Sequence, residues 1–183
     1  MAWWGEGSNP RYSLAEKSCF LKVSCFSSRS HSVPLIGGCE QVVSGTGHLQ
    51  ALQESEQYVG GAAHTRDVTY ADGVLSMDMA LAYRADGLQT LRRTFVCADD
   101  GVTLTDEIVY CGEGSVIERL VSLLEPQLLD DHTLRVGTAT VTFDPALCDY
   151  ALHTEPLTTT GQPCYMMDFT LKAGVEKVTF VIR

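Results

Sequence analysis

Apolar and polar side chains alternate with a period of two along much of this chain, and no stretch shows a convincing helical period. Alternation of that kind puts successive side chains on opposite faces of a strand, so one face can be buried while the other meets water. Four such runs, 74–83, 88–97, 102–110 and 116–124, follow or are separated by Asp72-Gly73, Asp86-Gly87, Asp100-Gly101 and Gly112-Glu113-Gly114. Asp-Gly between alternating runs marks a tight hairpin, because type I′ turns need positive φ at both central positions. The spacing predicts an antiparallel meander of strands about ten residues long.

Faces can be assigned from the same alternation. Over Val74–Tyr83, Leu75, Met77, Met79, Leu81 and Tyr83 share one side, and Ser76, Asp78, Ala80 and Ala82 the other. Over Val102–Tyr110, Val102, Leu104, Ile108 and Tyr110 share a face with Asp106. A hairpin that turns at Asp99-Asp100 and pairs Cys97 with Val102 also pairs Arg93 with Asp106. Both then face inward, and because either charge buried alone is costly, the two are predicted to form an ion pair.

Beyond Pro126 the runs shorten. Leu134–Val136 turns at Gly137-Thr138 into Ala139–Phe143, and later strands are expected over 149–154, 164–171 and 175–183. The first thirty to forty residues are less regular, with one strand candidate at Phe20–Phe26. The expectation is a single all-β domain over 1–183: an antiparallel two-sheet β-sandwich with under about 10% helix.

Composition narrows the function classes. With 183 residues, 45% apolar and 20% charged, the chain is globular and long enough for a core without staples. A net charge of −10 excludes non-specific nucleic-acid binding, which depends on basic side chains. Residues 1–40 run against that trend, with Arg11, Lys17, Lys22 and Arg29 against Glu6, Glu16 and Glu40. They are the part least repulsive to an acidic ligand.

The seven cysteines (19, 25, 39, 97, 111, 148 and 164) form no CxxC and no His/Cys ligand cluster, and read as reduced thiols. No signal-peptide pattern opens the chain, and no run approaches the roughly 18 apolar residues of a membrane span. The expectation is a cytoplasmic protein with no membrane association, no metal and no cofactor.

Among the histidines, His48, His64, His132 and His153 lie apart in sequence and suit solvated or structural roles. His31 stands in the unusual string Ser27-Ser28-Arg29-Ser30-His31-Ser32-Val33-Pro34-Leu35-Ile36-Gly37-Gly38-Cys39-Glu40-Gln41. His31, Pro34, Gly38 and Gln41 fall at the spacing His-x-x-Pro-x-x-x-Gly-x-x-Gln. Arg11-Tyr12 lies upstream; Asp78 and Tyr83, then Arg93, Asp106 and Pro126, lie downstream.

In this order and spacing the chain resembles the C-terminal β-sandwich region of heparinase II/III-like polysaccharide lyases. Ser32 stands where that family often has Asn, and Val33 where some relatives have a second, metal-binding His, so no metal is carried over. The resemblance implies an α/α toroid packed against the sandwich, with β-elimination of uronate-containing polysaccharide in the cleft between them. The catalytic Tyr and most of the acid–base groups would come from the toroid, and one His from the sandwich. His31 is the candidate catalytic residue, with Arg29 and Gln41 as candidate substrate-binding residues. A neutral imidazole near pH 7 suits proton transfer.

The thirty residues before His31 leave no room for a toroid. The expectation is therefore a detached or truncated lyase β-domain, inactive alone, meeting an acidic polysaccharide or oligosaccharide and a toroid partner. The alternative is a non-catalytic saccharide-binding or protein-interaction module, with Trp3, Trp4, Tyr12 and Tyr58 as stacking surfaces. A face left bare by a missing toroid, together with the Leu-rich 120–129 segment, predicts a homodimer.

Overall fold

Two-residue turns organise the first sheet, and Asp72-Gly73 shows how. Both residues have positive φ, 48° and 78°, so β2 (Arg66–Ala71) folds straight back on β3 (Val74–Asp78). A computed structural model describes residues 28–41, 65–157 and 160–183. The Phe20–Phe26 strand, Trp3, Trp4, Arg11, Tyr12, His48, Tyr58 and His64 lie outside the described residues.

Twelve strands are described. The others are β1 (Leu35–Ile36), β4 (Leu88–Ala98), β5 (Gly101–Tyr110), β6 (Val116–Ser122), β7 (Pro126–Leu128), β8 (Thr133–Val136), β9 (Ala139–Thr142), β10 (Cys148–Pro156), β11 (Pro163–Leu171) and β12 (Lys177–Ile182). They form a four-stranded sheet, β1-β6-β11-β10, and an eight-stranded sheet, β2-β3-β4-β5-β12-β9-β8-β7. Every pairing is antiparallel. Among the described residues the only helical pieces are short 3-10 turns at Ser28–Ser30 and Ala80–Ala82. This is the expected all-β, two-sheet sandwich.

Two expectations about the meander are corrected. The run 74–83 is not one strand: β3 stops at Asp78, whose carboxylate accepts from the Ala80 N–H (2.9 Å) and from Arg66 Nε (2.8 Å). That capture starts the 3-10 turn, so Leu81 ends up exposed while Ala82 and Tyr83 are buried. The second correction is that Gly112-Glu113-Gly114 makes no hairpin. The edge of β5 that β6 would take is held by β12, from Lys177↔Glu107 to Ile182↔Val102. The chain therefore crosses at 111–115 and β6 joins the opposite sheet.

Asp78 supplies a modest, pH-dependent contribution. Burial pushes its pKa up, but the Ala80 N–H and the Arg66 and Arg92 guanidinium groups outweigh that and hold it below the usual carboxylate range. Its stabilisation is present above the ordinary Asp pKa and lost as pH falls through the lowered one. Asp78→Ala is expected to cost about 1 kcal/mol at neutral pH, with the gap to wild type closing in acid. Chemical denaturation at several pH values checks this.

Between the sheets lie two apolar clusters. One gathers Leu104, Leu120, Leu134, Val141, Phe143, Cys148, Met167, Phe169, Val178 and Phe180. Phe169 is its centre, with ring centroids 4.7 Å from Phe180 and 5.0 Å from Phe143. The other gathers Ile36, Met79, Ala82, Tyr83, Leu91 and Ile108. The β4–β5 register places Leu91↔Ile108, Arg93↔Asp106 and Phe95↔Leu104 in succession, so a polar layer separates the clusters.

Candidate functional site

That polar layer holds the predicted pair Arg93 and Asp106. Arg93 is paired with Asp106 in register, as the turn arithmetic required. Its Nε donates to Asp106 Oδ1 at 2.9 Å and Oδ2 at 3.0 Å, and its Nη2 donates to Oδ2. Asp106 is fully buried and Arg93 nearly so. The predicted inward-facing ion pair is present.

A third member comes from the other sheet. Glu118, on β6, alternates inward with Val116 and Leu120; it is fully buried, and its Oε2 accepts from Arg93 Nη2 at 2.9 Å. Its Oε1 has no hydrogen-bond partner among the described residues. Burial, and next the Asp106 carboxylate, raise the Glu118 pKa well above the usual range despite Arg93. A protonated Glu118 makes the trio neutral, which is the inexpensive way to keep two carboxyls beside one guanidinium in a core. Arg93 in turn is held cationic: burial lowers its pKa, and the Asp106 bond and charge raise it by more.

The trio reaches the His31 loop directly. Arg93 Nη1 donates to the Ser32 carbonyl at 2.7 Å. The Tyr83 hydroxyl, also buried, donates to the Pro34 carbonyl at 2.7 Å. Burial, then the Glu118 carboxyl, raise the Tyr83 pKa, so it stays a donor. Ser32 Oγ accepts from the Val121 N–H at 3.0 Å, and Ser28 Oγ accepts from the Gln41 N–H at 2.8 Å. His31 lies in the loop that these bonds hold and is exposed.

The other candidates divide. Gln41 is half-buried, bridges to Tyr83 in antiparallel fashion, and faces the Tyr83 hydroxyl. Its position serves the loop's base. Arg29 lies in the 3-10 turn just before His31, and its side chain falls outside the described residues. Pro34 is fully buried.

After Pro34 the loop runs into β1, which pairs with β6, and turns at Gly37-Gly38 with φ of 57° and 79°. Only glycine suits position 37. A Cβ there would lie 2.0 Å from the Tyr110 hydroxyl and 2.7 Å from the Glu113 carbonyl, in a left-handed conformation. Gly37→Ala is expected to cost about 2 kcal/mol and to lower the thermal midpoint measurably.

A second titratable group, unforeseen in the sequence, joins β6, β11 and β10. Arg119 and Asp168 are register partners and form a buried pair, Nε to Oδ1 and Nη2 to Oδ2, both 2.6 Å. His153, largely exposed, holds its Nε2 3.5 Å from Asp168 Oδ2. Nothing local marks the three; they are 34 and 15 residues apart and meet only through strand register. Elsewhere, Asp130, Asp131 and His132 crowd one exposed turn, where the Asp131 hydrogen bond raises the His132 pKa.

The five described cysteines (39, 97, 111, 148 and 164) are free thiols. Burial, and next Asp144, push Cys148 up to about 11, so it is no nucleophile. No described helix is long and apolar enough to cross a membrane.

No family model matches the sequence, and no curated protein matches it. Among solved structures, a heparinase III gene product is similar at a TM-score of 0.43 and 13% identity, over 65% of this chain and 21% of that one. The chain spans about a fifth of that protein's length.

Proposed function

We propose that this chain is a lyase-type β-sandwich domain that engages an acidic, uronate-containing saccharide through the His31 loop and does not cleave it alone. The observation that carries the reading is the fixing of an exposed His31 by buried partners that belong to the same spaced string. Pro34, Tyr83 and Arg93, ordered along the sequence as in the lyase sandwich, all act on that one loop. A string retained only for packing has no need to tie the backbone next to an exposed histidine from inside the core.

Elimination at a uronate requires a base for the α-proton, a group that neutralises the carboxylate, and an acid for the departing oxygen. His31 supplies one of the three. Arg29, beside it, and Gln41 at the loop's base are the proposed saccharide contacts, in the quarter of the chain that escapes the overall negative charge.

Titration with heparan, alginate and chondroitin oligosaccharides tests this, with ultraviolet absorbance followed for unsaturated uronate. Saturable binding to one class, weakened at least tenfold by His31→Ala and without unsaturated product, is the expected result. Absent binding, or binding that ignores His31→Ala, defeats the proposal.

One observation favours a protein partner as well. Leu123, Leu124, Leu128 and Leu129 are all about half exposed around the β6–β7 connection, an apolar grouping that isolated soluble domains rarely leave bare. A second copy or a toroid domain would cover it. Sedimentation at micromolar concentration should show a dimer that Leu124→Glu/Leu128→Glu dissociates; a monomer in wild type removes self-association.

A further inference from the structure

Three of the residues downstream of the His31 string, Tyr83, Arg93 and Asp106, share a common address with Glu118. Arg93 belongs to β4, Asp106 to β5, Glu118 to the opposite sheet, and Tyr83 to the end of the 3-10 turn. Their polar atoms converge on two consecutive stretches of backbone. Arg93 spends four donor contacts on Asp106 and Glu118 and its remaining outward Nη1 on the Ser32 carbonyl. Tyr83 gives its single proton to Pro34.

A buried ion network is a poor means of stabilising a fold. An apolar core of equal volume often does as well or better, because two or more charges must be stripped of water. Here the network also interrupts what would otherwise be one continuous apolar core. What it provides, and apolar side chains cannot, is a fixed hydrogen-bond donor on each side of Val33. The loop is therefore tied from inside the sandwich, at residues 32 and 34, while His31 stays outside.

We infer that Arg93 and Tyr83 are positioning residues for His31, with Asp106 and Glu118 fixing the Arg93 guanidinium so that Nη1 meets the Ser32 carbonyl. The inference rests on the reading of His31 as a functional group and adds how its place is set. Asp106 orients the guanidinium from the same sheet by a two-oxygen contact, and Glu118 steadies Nη2 from the facing sheet. Together they remove the rotation that would swing Nη1 away. Tyr83 sets the second point, so the backbone around Val33 is held at the carbonyls on either side of it.

The test observes His31 itself in the full chain, through its imidazole C–H signals in a proton–carbon correlation spectrum, assigned by His31→Gln. Tyr83→Phe and Arg93→Lys each withdraw one tie. Thr105→Val, which breaks the Thr105–Thr179 hydroxyl contact of 3.0 Å on the far face of β5, serves as a destabilised control. The expected result is that both tie variants shift or split the His31 signal by more than its linewidth. His132 and His153 should stay in place, and the control should move none of the three.

A His31 signal unmoved in Tyr83→Phe, with its thermal midpoint lowered, overturns the inference and leaves the network a packing feature. If Arg93→Lys fails to fold, Tyr83→Phe decides alone, since it deletes only one hydroxyl. The saccharide titration is read separately. A displaced His31 in a protein that binds no uronate keeps the positioning role and removes the substrate reading. Uronate binding with an immobile His31 does the reverse.

Discussion

Asp106→Ala is expected to destabilise the protein by about 3–5 kcal/mol, the usual cost of orphaning a buried charge. The Arg93 side chain is 4% exposed and cannot reach water when its main acceptor is deleted. Of its five contacts, three are to Asp106. Glu118 changes how that loss varies with pH. With Asp106 gone, the repulsion that helps hold Glu118 neutral is gone too, and Glu118 can ionise and serve as the counter-ion 2.9 Å from Nη2. The loss should therefore sit near the bottom of the range in mild alkali and near the top in mild acid, where Glu118 carries its proton. Urea unfolding of both proteins at the two conditions measures it. A cost below about 1 kcal/mol at both would mean that Arg93 finds solvent or another partner, against its observed burial.

That pair was legible in the sequence because everything fixing it is local. The turn at Asp99-Asp100 sets the register, the register pairs residues 93 and 106, and alternation sends both inward. Glu118 obeys the same alternation, a charge between Val116 and Leu120, and so carried the same warning. Its partner, however, is set by which strand faces it across the sandwich. Local turn chemistry reads Gly112-Glu113-Gly114 as another hairpin. The outcome depends instead on β12, some seventy residues later in sequence, occupying the β5 edge. The break after Asp78 is a nearer miss. A short acidic side chain that captures a backbone N–H two residues on competes with strand continuation, and alternation alone is blind to it.

The site was legible as a set of residue types and not as an arrangement. Of the residues the spaced pattern named, Pro126 lies in β7 at the far edge of the eight-stranded sheet and Arg11-Tyr12 lie outside the described residues. His31, Pro34, Gln41, Tyr83, Arg93 and Asp106 are linked through one loop and the core beneath it. Their roles differ from one another in ways the spacing does not encode. Gln41 and Pro34 build the loop, Arg93 and Tyr83 tie it, and His31 alone of these is presented to solvent. The Arg119–Asp168–His153 group had no counterpart in the sequence reading. Its members lie on three neighbouring strands, and only the pairings Asp168↔Arg119 and Ala151↔Asp168 bring them together.

Glu118→Gln is expected to leave the fold unharmed at neutral pH and to make it more stable than wild type as pH rises. A glutamine in this place keeps an oxygen to accept from Arg93 Nη2 and offers N–H donors where a protonated carboxyl has one. It thus mimics the neutral acid. The sign follows from linkage. Burial and Asp106 raise the folded-state pKa of Glu118 above its unfolded value, so the native protein holds the proton more tightly. Stability from this group is full below the ordinary glutamate pKa and declines as pH climbs toward the raised value. The decline is about 1.4 kcal/mol per pH unit, so two units within that window open a gap of about 2.7 kcal/mol in favour of the variant. Asp106, Arg93, Tyr83 and Cys148, the other titratable groups that feel Glu118, are present in both proteins and largely cancel in the difference. Unfolding free energies of the two chains, measured across the acid-to-neutral range, give the result directly. Parallel curves would mean that Glu118 is ionised in the native core, with both carboxylates sharing Arg93.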